Sequence, residues 1–318
     1  LEANGVSAHG VLVSAYDVIN EFFQIDGTVK FGPVEQGFKD YVETMRKWYS
    51  EGLIDQNFVS YDGYQGTNTI SKLVSGEAAA LSTGFWVLQV YLAATEDPDF
   101  KMDAVPYPGR EKNQVVKLRQ YNEKVRADSP AVITAQCEHP VEAVKLIDFN
   151  YSPEGFLLCN YGIEGKSYTI ESGKPLYPSL FNDGIPQFTD YVLNNPDFPI
   201  YNDILTIAAR HSGPFVRDEL NRSYYTTSEI GLRAQNEIWI GDNSYMLPKL
   251  MSITTEESVV FNSKMTDIKS YVNEMVPKFI MGVESMDNYD NFVNELNRMG
   301  VPEVIAIKQA SLERYHNR

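Results

Sequence analysis

At 318 residues the chain is longer than a single hydrophobic core usually organises, so two lobes or domains are the default expectation. Hydrophobic residues at 43% and charged residues at 22% are ordinary for a soluble globular protein. A formal charge of -16 and a pI near 4.7 argue against nucleic acid as a partner, because phosphate binding needs clustered Lys and Arg.

In chain order, residues 1–36 carry short apolar runs punctuated by Gly10 and Gly27. Leu1-Glu2-Ala3-Asn4-Gly5 shows no start methionine, signal peptide or lipobox, and the chain is expected to be processed or truncated. Asp26-Gly27, with Val29 and Phe31 beyond it, predicts a hairpin closed by Gly32-Pro33. From Gly37 the residues Phe38, Tyr41, Val42, Met45, Trp48 and Tyr49 form one helical stripe. Gly52 should end that helix, with Leu53 folding back onto it.

A short helix is expected over 68–74, then a buried strand of small residues, Ala78-Ala79-Ala80-Leu81. Gly84-Phe85-Trp86 opens a helix over 86–94. Residues 100–106 read as a strand ending in the turn Pro106-Tyr107-Pro108-Gly109, and 115–118 and 130–134 as further extended segments. This alternation of strands and helices indicates an α/β protein.

Pro140 suits the first turn of a helix over 139–151 whose face is Val144, Ile147 and Tyr151. Ser152 should cap a second helix through Pro153 and Glu154, and Gly162 and Gly165 bracket a tight turn needing positive φ. Residues 174–199 are proline-rich and expected at the surface, with a helix over 185–194. Residues 202–209 fit strand or helix equally, and 226–239 fit a helix with Ile230, Ala234 and Ile238 four apart. Thr254-Thr255-Glu256-Glu257 starts a capped helix running across Pro277 to Gly282. Helices over 288–299 and 302–315, separated by Gly300, complete the chain.

Chemistry-bearing motifs are sparse. His9, His139, His211 and His316 stand apart without metal-ligand spacing, so neither a metal nor a cofactor is expected. Cys137 and Cys159 read as plain buried thiols, with a bridge the lesser alternative. No nucleophile elbow, Walker loop or dinucleotide fingerprint occurs, and no catalytic residue is assigned. Aromatic residues are abundant, with 20 Tyr, 16 Phe and 3 Trp. Their flat faces suit the C–H face of a pyranose ring, while carboxylates, amides and Arg suit its hydroxyls. Trp48 belongs to a core stripe, whereas Trp86 lies at a strand-to-helix junction where sites tend to form. Trp239 fits core slightly better than site. Tyr61 and Tyr64, in one glycine-rich loop, and Arg210 fit either ligand contact or packing.

Together these stretches resemble a known family. Trp48-Tyr49-Ser50-Glu51-Gly52-Leu53-Ile54-Asp55, Ser75-Gly76-Glu77-Ala78-Ala79-Ala80, His139-Pro140-Val141-Glu142-Ala143, Tyr151-Ser152-Pro153-Glu154-Gly155 and Tyr161-Gly162-Ile163-Glu164-Gly165 are similar to segments of family 1 extracellular solute-binding proteins. So are Leu247-Pro248, Lys278-Phe279-Ile280-Met281-Gly282 and Leu296-Asn297-Arg298-Met299-Gly300. The resemblance is to the lipoprotein-type oligosaccharide binders of ABC importers and runs from about residue 20 to the end.

The resemblance implies an α/β, two-lobe periplasmic-binding-protein-like fold of type II with an incomplete first lobe, since such proteins carry a further N-terminal portion that begins with a lipidated cysteine. It implies a second-lobe segment over 1–126, a first-lobe return over 127–185, and a mainly helical segment over 186–318 packing on the second lobe. Implied function is capture of an oligosaccharide between lobes by hinge closure and delivery to ABC permease subunits, without catalysis and without nucleic acid. The implied location is the extracellular face of the membrane or the periplasm, with membrane attachment through an absent lipid anchor. The ligand-binding candidates are then Trp86, Tyr61, Tyr64, Arg210 and Trp239, with Glu164 as the polar contact of the turn over 162–168. The rival readings are a carbohydrate-active enzyme with an acidic pair in an aromatic cleft, and a binder of peptide or another solute.

Overall fold

The computed structural model describes residues 11–60, 63, 66–84, 87–118, 131–172, 184–193, 213–216, 229–239 and 241–318. The chain divides into two compact units. Unit 1 comprises Leu1–Tyr121 and Ser228–Arg318, and unit 2 is the intervening Asn122–Thr227.

Unit 1 begins with the expected hairpin, β1 (Phe22–Ile25) and β2 (Thr28–Phe31), antiparallel with Phe22 opposite Phe31 and Ile25 opposite Thr28. Asp26 and Gly27 both take positive φ, 50° and 81°, which gives the two-residue turn the twist of its strands. Helix α1 (Gln36–Ser50) follows, with Phe38, Tyr41, Val42 and Met45 buried as the stripe requires. Its end is a Schellman turn in which the Leu53 amide donates to the Trp48 carbonyl at 2.8 Å. The side chain departs from expectation: Leu53 is 68% exposed, and the neighbouring Ile54 enters the core instead.

Helix α2 (Thr67–Val74) and helix α3 (Leu88–Ala93) flank the small-residue stretch. No strand forms there: residues 78–81 are irregular, and Ala79 and Ala80 are exposed. A strand exists only through a partner edge, and among the described residues none pairs with this segment. Residues 100–106, 115–118 and 131–134 likewise carry no ladder.

In unit 2, α4 (Pro140–Phe149) and α5 (Pro153–Tyr161) form as expected, with Pro at the first turn of each. Ser152 Oγ accepts from the Gly155 amide at 3.0 Å, capping α5. The hairpin β3 (Tyr168–Ser172) and β4 (Gly184–Phe188) follows, then the single turn α6 (Asp190–Leu193). The helix expected over 185–194 is therefore half strand. Pairing with β3, Ile170 opposite Pro186, outweighs the local pattern. The ambiguous stretch over 202–209 lies outside the described residues.

The chain re-enters unit 1 through α7 (Glu229–Arg233), which passes into a π-helical turn, Ala234–Ile238. Three helices close the unit: α8 (Thr255–Met281), α9 (Tyr289–Met299) and α10 (Val301–His316). A capping box starts α8, with Thr254 Oγ accepting from the Glu257 amide at 3.2 Å and Glu257 Oε2 accepting from the Thr254 amide at 2.8 Å. The helix continues through the buried Pro277.

The main core joins the hairpin, α1 and α8–α10 through Phe23, Phe38, Tyr41, Phe279, Tyr289 and Phe292. Full burial of an aromatic or aliphatic side chain of this size contributes about 1.5–3 kcal/mol. Polar ties fix the packing. Arg46 donates to the carbonyls of Phe279 at 3.0 Å and Glu284 at 2.6 Å, and Gln309 of α10 satisfies β2 by accepting from the Val29 amide at 2.8 Å. Burial pushes the Tyr289 phenol well above the usual tyrosine range, and its hydroxyl donates to the Pro33 carbonyl at 3.2 Å.

Candidate functional site

A second apolar cluster in unit 1 gathers Leu73 of α2, Val87, Leu88 and Tyr91 at and within α3, Ala104, and Ala234 of the π turn. Trp239, Ile238, Ile230 and Leu81 pack around it. The π turn sets the direction of Trp239, because its amide closes back on the Ala234 carbonyl at 2.8 Å. The indole N–H then donates to the Val105 carbonyl at 2.9 Å, while Val105 itself is 69% exposed. One turn earlier, Arg233 pairs with Asp103. Two polar ties thus clamp the extended stretch 103–105 to α7 and the π turn. At the other side of the cluster, Tyr91 Oη and Thr83 Oγ1 share a hydrogen bond of 3.0 Å, which holds the irregular stretch 81–84 to α3.

Trp239 is therefore neither wholly core nor free: its ring packs on the cluster while its nitrogen ties down a neighbouring backbone. Sequence reasoning named Trp239 but missed Asp103, Val105, Thr83 and Tyr91. Only the turn-forming Pro106-Tyr107-Pro108 pointed to that neighbourhood. Trp86, Tyr61, Tyr64 and Arg210 lie outside the described residues.

Glu164 belongs to unit 2, exposed in the turn between α5 and β3. Gly162 and Gly165 take φ of 86° and 76°, the left-handed backbone that glycine alone adopts cheaply. The buried Ser167 is the turn's hub, accepting from the Ile163 amide at 2.6 Å and donating to the Tyr161 carbonyl at 2.8 Å. Tyr168 follows directly, and the Tyr161 ring centre lies 5.7 Å from that of Tyr168 and 5.4 Å from that of Phe188. Burial pushes the Tyr168 phenol up, and the negative charge of Glu164 adds to that. Trp239 and Glu164 lie in different units.

A shallow groove of about 430 Å³ lies in unit 1, lined by Glu256, Glu257, Val260, Glu303, Ala306, Ile307 and Ala310. Two of its carboxylates are already committed, Glu257 to Arg314 at 2.6 Å and Glu303 to Lys264 at 2.9 Å. Among the described residues no cluster of His, Cys, Asp and Glu is arranged to hold a metal ion. Cys137 and Cys159 are not bridged.

Comparison with solved structures supplies the frame for these sites. Alginate-binding protein AlgQ2 matches with a TM-score of 0.62 at 21% identity, over 97% of this chain and 63% of that one. The fold is that of solute-binding proteins. An HMO-binding, ABC-transporter-associated solute-binding protein from Bifidobacterium longum infantis matches with a TM-score of 0.62 at 14% identity, over 96% of this chain and 61% of that one. The S. pneumoniae ABC-transporter substrate-binding protein FusA, in complex with kestose, matches with a TM-score of 0.60 at 16% identity, over 98% and 62%. The chain thus spans about three fifths of the solved structures it matches. An uncharacterized protein in the butB 5′ region of Niallia circulans is 25% identical over 260 residues, 80% of this chain and 91% of that protein. No family model matches the chain. Among the described residues no helix is long and apolar enough to cross a membrane.

Proposed function

We propose that the chain is part of the substrate-binding component of an ABC importer and captures an oligosaccharide between two lobes by hinge closure. The observation that carries this reading is the fold match over nearly the whole chain to three proteins whose described ligands or complexes are alginate, HMO and kestose. A micromolar sugar supplies about 8 kcal/mol, enough to favour a closed state that is a few kcal/mol uphill when empty.

In this reading Trp86 and Trp239 offer ring faces to the sugar, Tyr61, Tyr64 and Arg210 add contacts, and Glu164 accepts from hydroxyls. The π turn and the Trp239–Val105 tie support the role of Trp239 because they fix the indole before any ligand arrives, which lowers the ordering cost of binding. The partners would be the importer's permease subunits. The location would be the outer face of the membrane or the periplasm, with a lipid anchor carried by a portion of the protein outside residues 1–318. The segments 1–126, 127–185 and 186–318 would be its second-lobe part, first-lobe return and helical closing part.

The enzyme reading has less support, since the matched structures are described as binding proteins and the carboxylates Glu257 and Glu303 are each held by a cation. Incubation of the whole gene product with an oligosaccharide panel separates the readings. Sugar-dependent thermal stabilisation with every sugar recovered intact by chromatography supports binding, whereas a shorter product establishes turnover.

A further inference from the structure

The two ties that clamp 103–105 leave polar capacity unused beside the Trp239 ring. Among the described residues Asp103 takes both its hydrogen bonds on one oxygen: Oδ1 accepts from the Ala104 amide at 2.8 Å and from a terminal nitrogen of Arg233. Those contacts orient the carboxylate and leave Oδ2 to accept from a ligand. Arg233 commits one nitrogen of a planar fork of N–H donors. Both side chains stay open to solvent, Asp103 at 66% and Arg233 at 44%.

Trp239 stands within reach of that pair. Its indole donates to the Val105 carbonyl, and Val105 follows Asp103 by two residues, a span of at most about 7 Å. The ring is only partly buried where it packs on the second cluster, and the Val105 side chain is exposed. An aromatic face takes the C–H side of a sugar ring. A carboxylate next to a guanidinium takes two adjacent hydroxyls, one donating to Oδ2 and the other accepting from an N–H.

Charge decides which sugar fits. Arg233 is neutralised by Asp103. The stretch 96–103 carries Glu96, Asp97, Asp99 and Asp103 against Lys101, and the exposed Glu237 stands two residues before Trp239. That field repels a carboxylate carried by the ligand and leaves a neutral ring unaffected.

We infer that Trp239, Val105, Asp103 and Arg233 form a subsite of unit 1 that holds one neutral sugar ring through two adjacent hydroxyls and excludes uronates. Trp239 supplies the face, Val105 the apolar edge, and Asp103 with Arg233 the hydrogen bonds. The inference rests on the sugar-binding reading above and adds to it a class of sugar and the contacts of Asp103, Val105 and Arg233.

The test is calorimetric titration of the whole gene product with a panel of neutral oligosaccharides that includes kestose and, in parallel, with alginate oligosaccharides as the uronate probe. The inference predicts that a neutral sugar binds at least about tenfold more tightly than alginate. Asp103→Asn removes a charged acceptor and frees Arg233, so neutral binding should weaken at least about tenfold while alginate binding holds or improves. Arg233→Gln should also weaken neutral binding but leave alginate excluded. The pair is exposed, so the thermal midpoint of the empty protein should barely move in either variant. Preference for alginate in the unsubstituted protein overturns the inference and leaves the sugar-binding reading standing. So do variants that leave both sugars as they were or shift both alike. Binding of no sugar at all overturns the inference and the reading together.

Discussion

The indole nitrogen of Trp239 donates to the carbonyl oxygen of Val105 across 134 positions of sequence, at 2.9 Å. That bond joins the π turn to an otherwise irregular stretch and makes a ring that packs on one apolar cluster also the tie of its neighbour.

Trp239→Phe keeps most of the ring and removes the donor. It should cost about 1 kcal/mol, the net worth of one hydrogen bond. Trp239→Ala should cost about 3 kcal/mol, because packing goes with it. An unchanged stability of Trp239→Phe in urea unfolding would show that the Val105 bond contributes nothing.

Gly155 stands where α5 meets the end of α4: a Cβ there would lie 1.8 Å from the Phe149 carbonyl oxygen. Backbone cannot yield as a flexible side chain can, so Gly155→Ala should destabilise unit 2 by about 3 kcal/mol. The thermal midpoint reports the change. An unshifted midpoint would mean that the α4–α5 junction is looser than this geometry.

Thr254→Ala removes the hydroxyl half of the capping box on α8 and should cost about 1 kcal/mol. Thr254→Ser keeps an acceptor oxygen and should cost less than half of that. Chemical denaturation of the two variants makes the comparison.

Lys308 of α10 has its ammonium 4.9 Å from the ring centre of Phe261 and 5.9 Å from that of Phe22. Burial holds it below the ordinary lysine value of 10.5; Glu21 opposes that and Lys269 reinforces it. The folded state therefore gives up this proton more readily than the unfolded chain, and stability attributable to Lys308 rises with pH from the lowered value up to 10.5. Lys308→Met should abolish that rise and leave neutral-pH stability equal or higher. A rise that persists in the variant would assign it to another group.

Much of unit 1 was legible because its signals are local. The Asp26-Gly27 turn, the stripe from Phe38 to Met45 and the Thr254 box each need only a few neighbouring residues to declare themselves. The strand expected over Ala78 to Leu81 did not form, since small residues say that a close approach is tolerated and not that an edge is present. The segment 185–194 turned half to strand because β3, far away in sequence, decides it. Leu53 was expected on the helix, but the Schellman turn fixes only its amide, and Ile54 took the buried place. At the candidate site the aromatic Trp239 was readable, whereas its partner is a carbonyl, which every residue carries.

The most direct test of the central reading is calorimetric titration of the whole gene product with alginate oligosaccharides, HMO and kestose, alongside a peptide panel. The account predicts saturable binding of one sugar class at about micromolar dissociation constant, weakened at least about tenfold by Trp86→Ala, and no heat from peptides. Saturation by a peptide with no sugar bound, or sugar affinity untouched by Trp86→Ala, would contradict it.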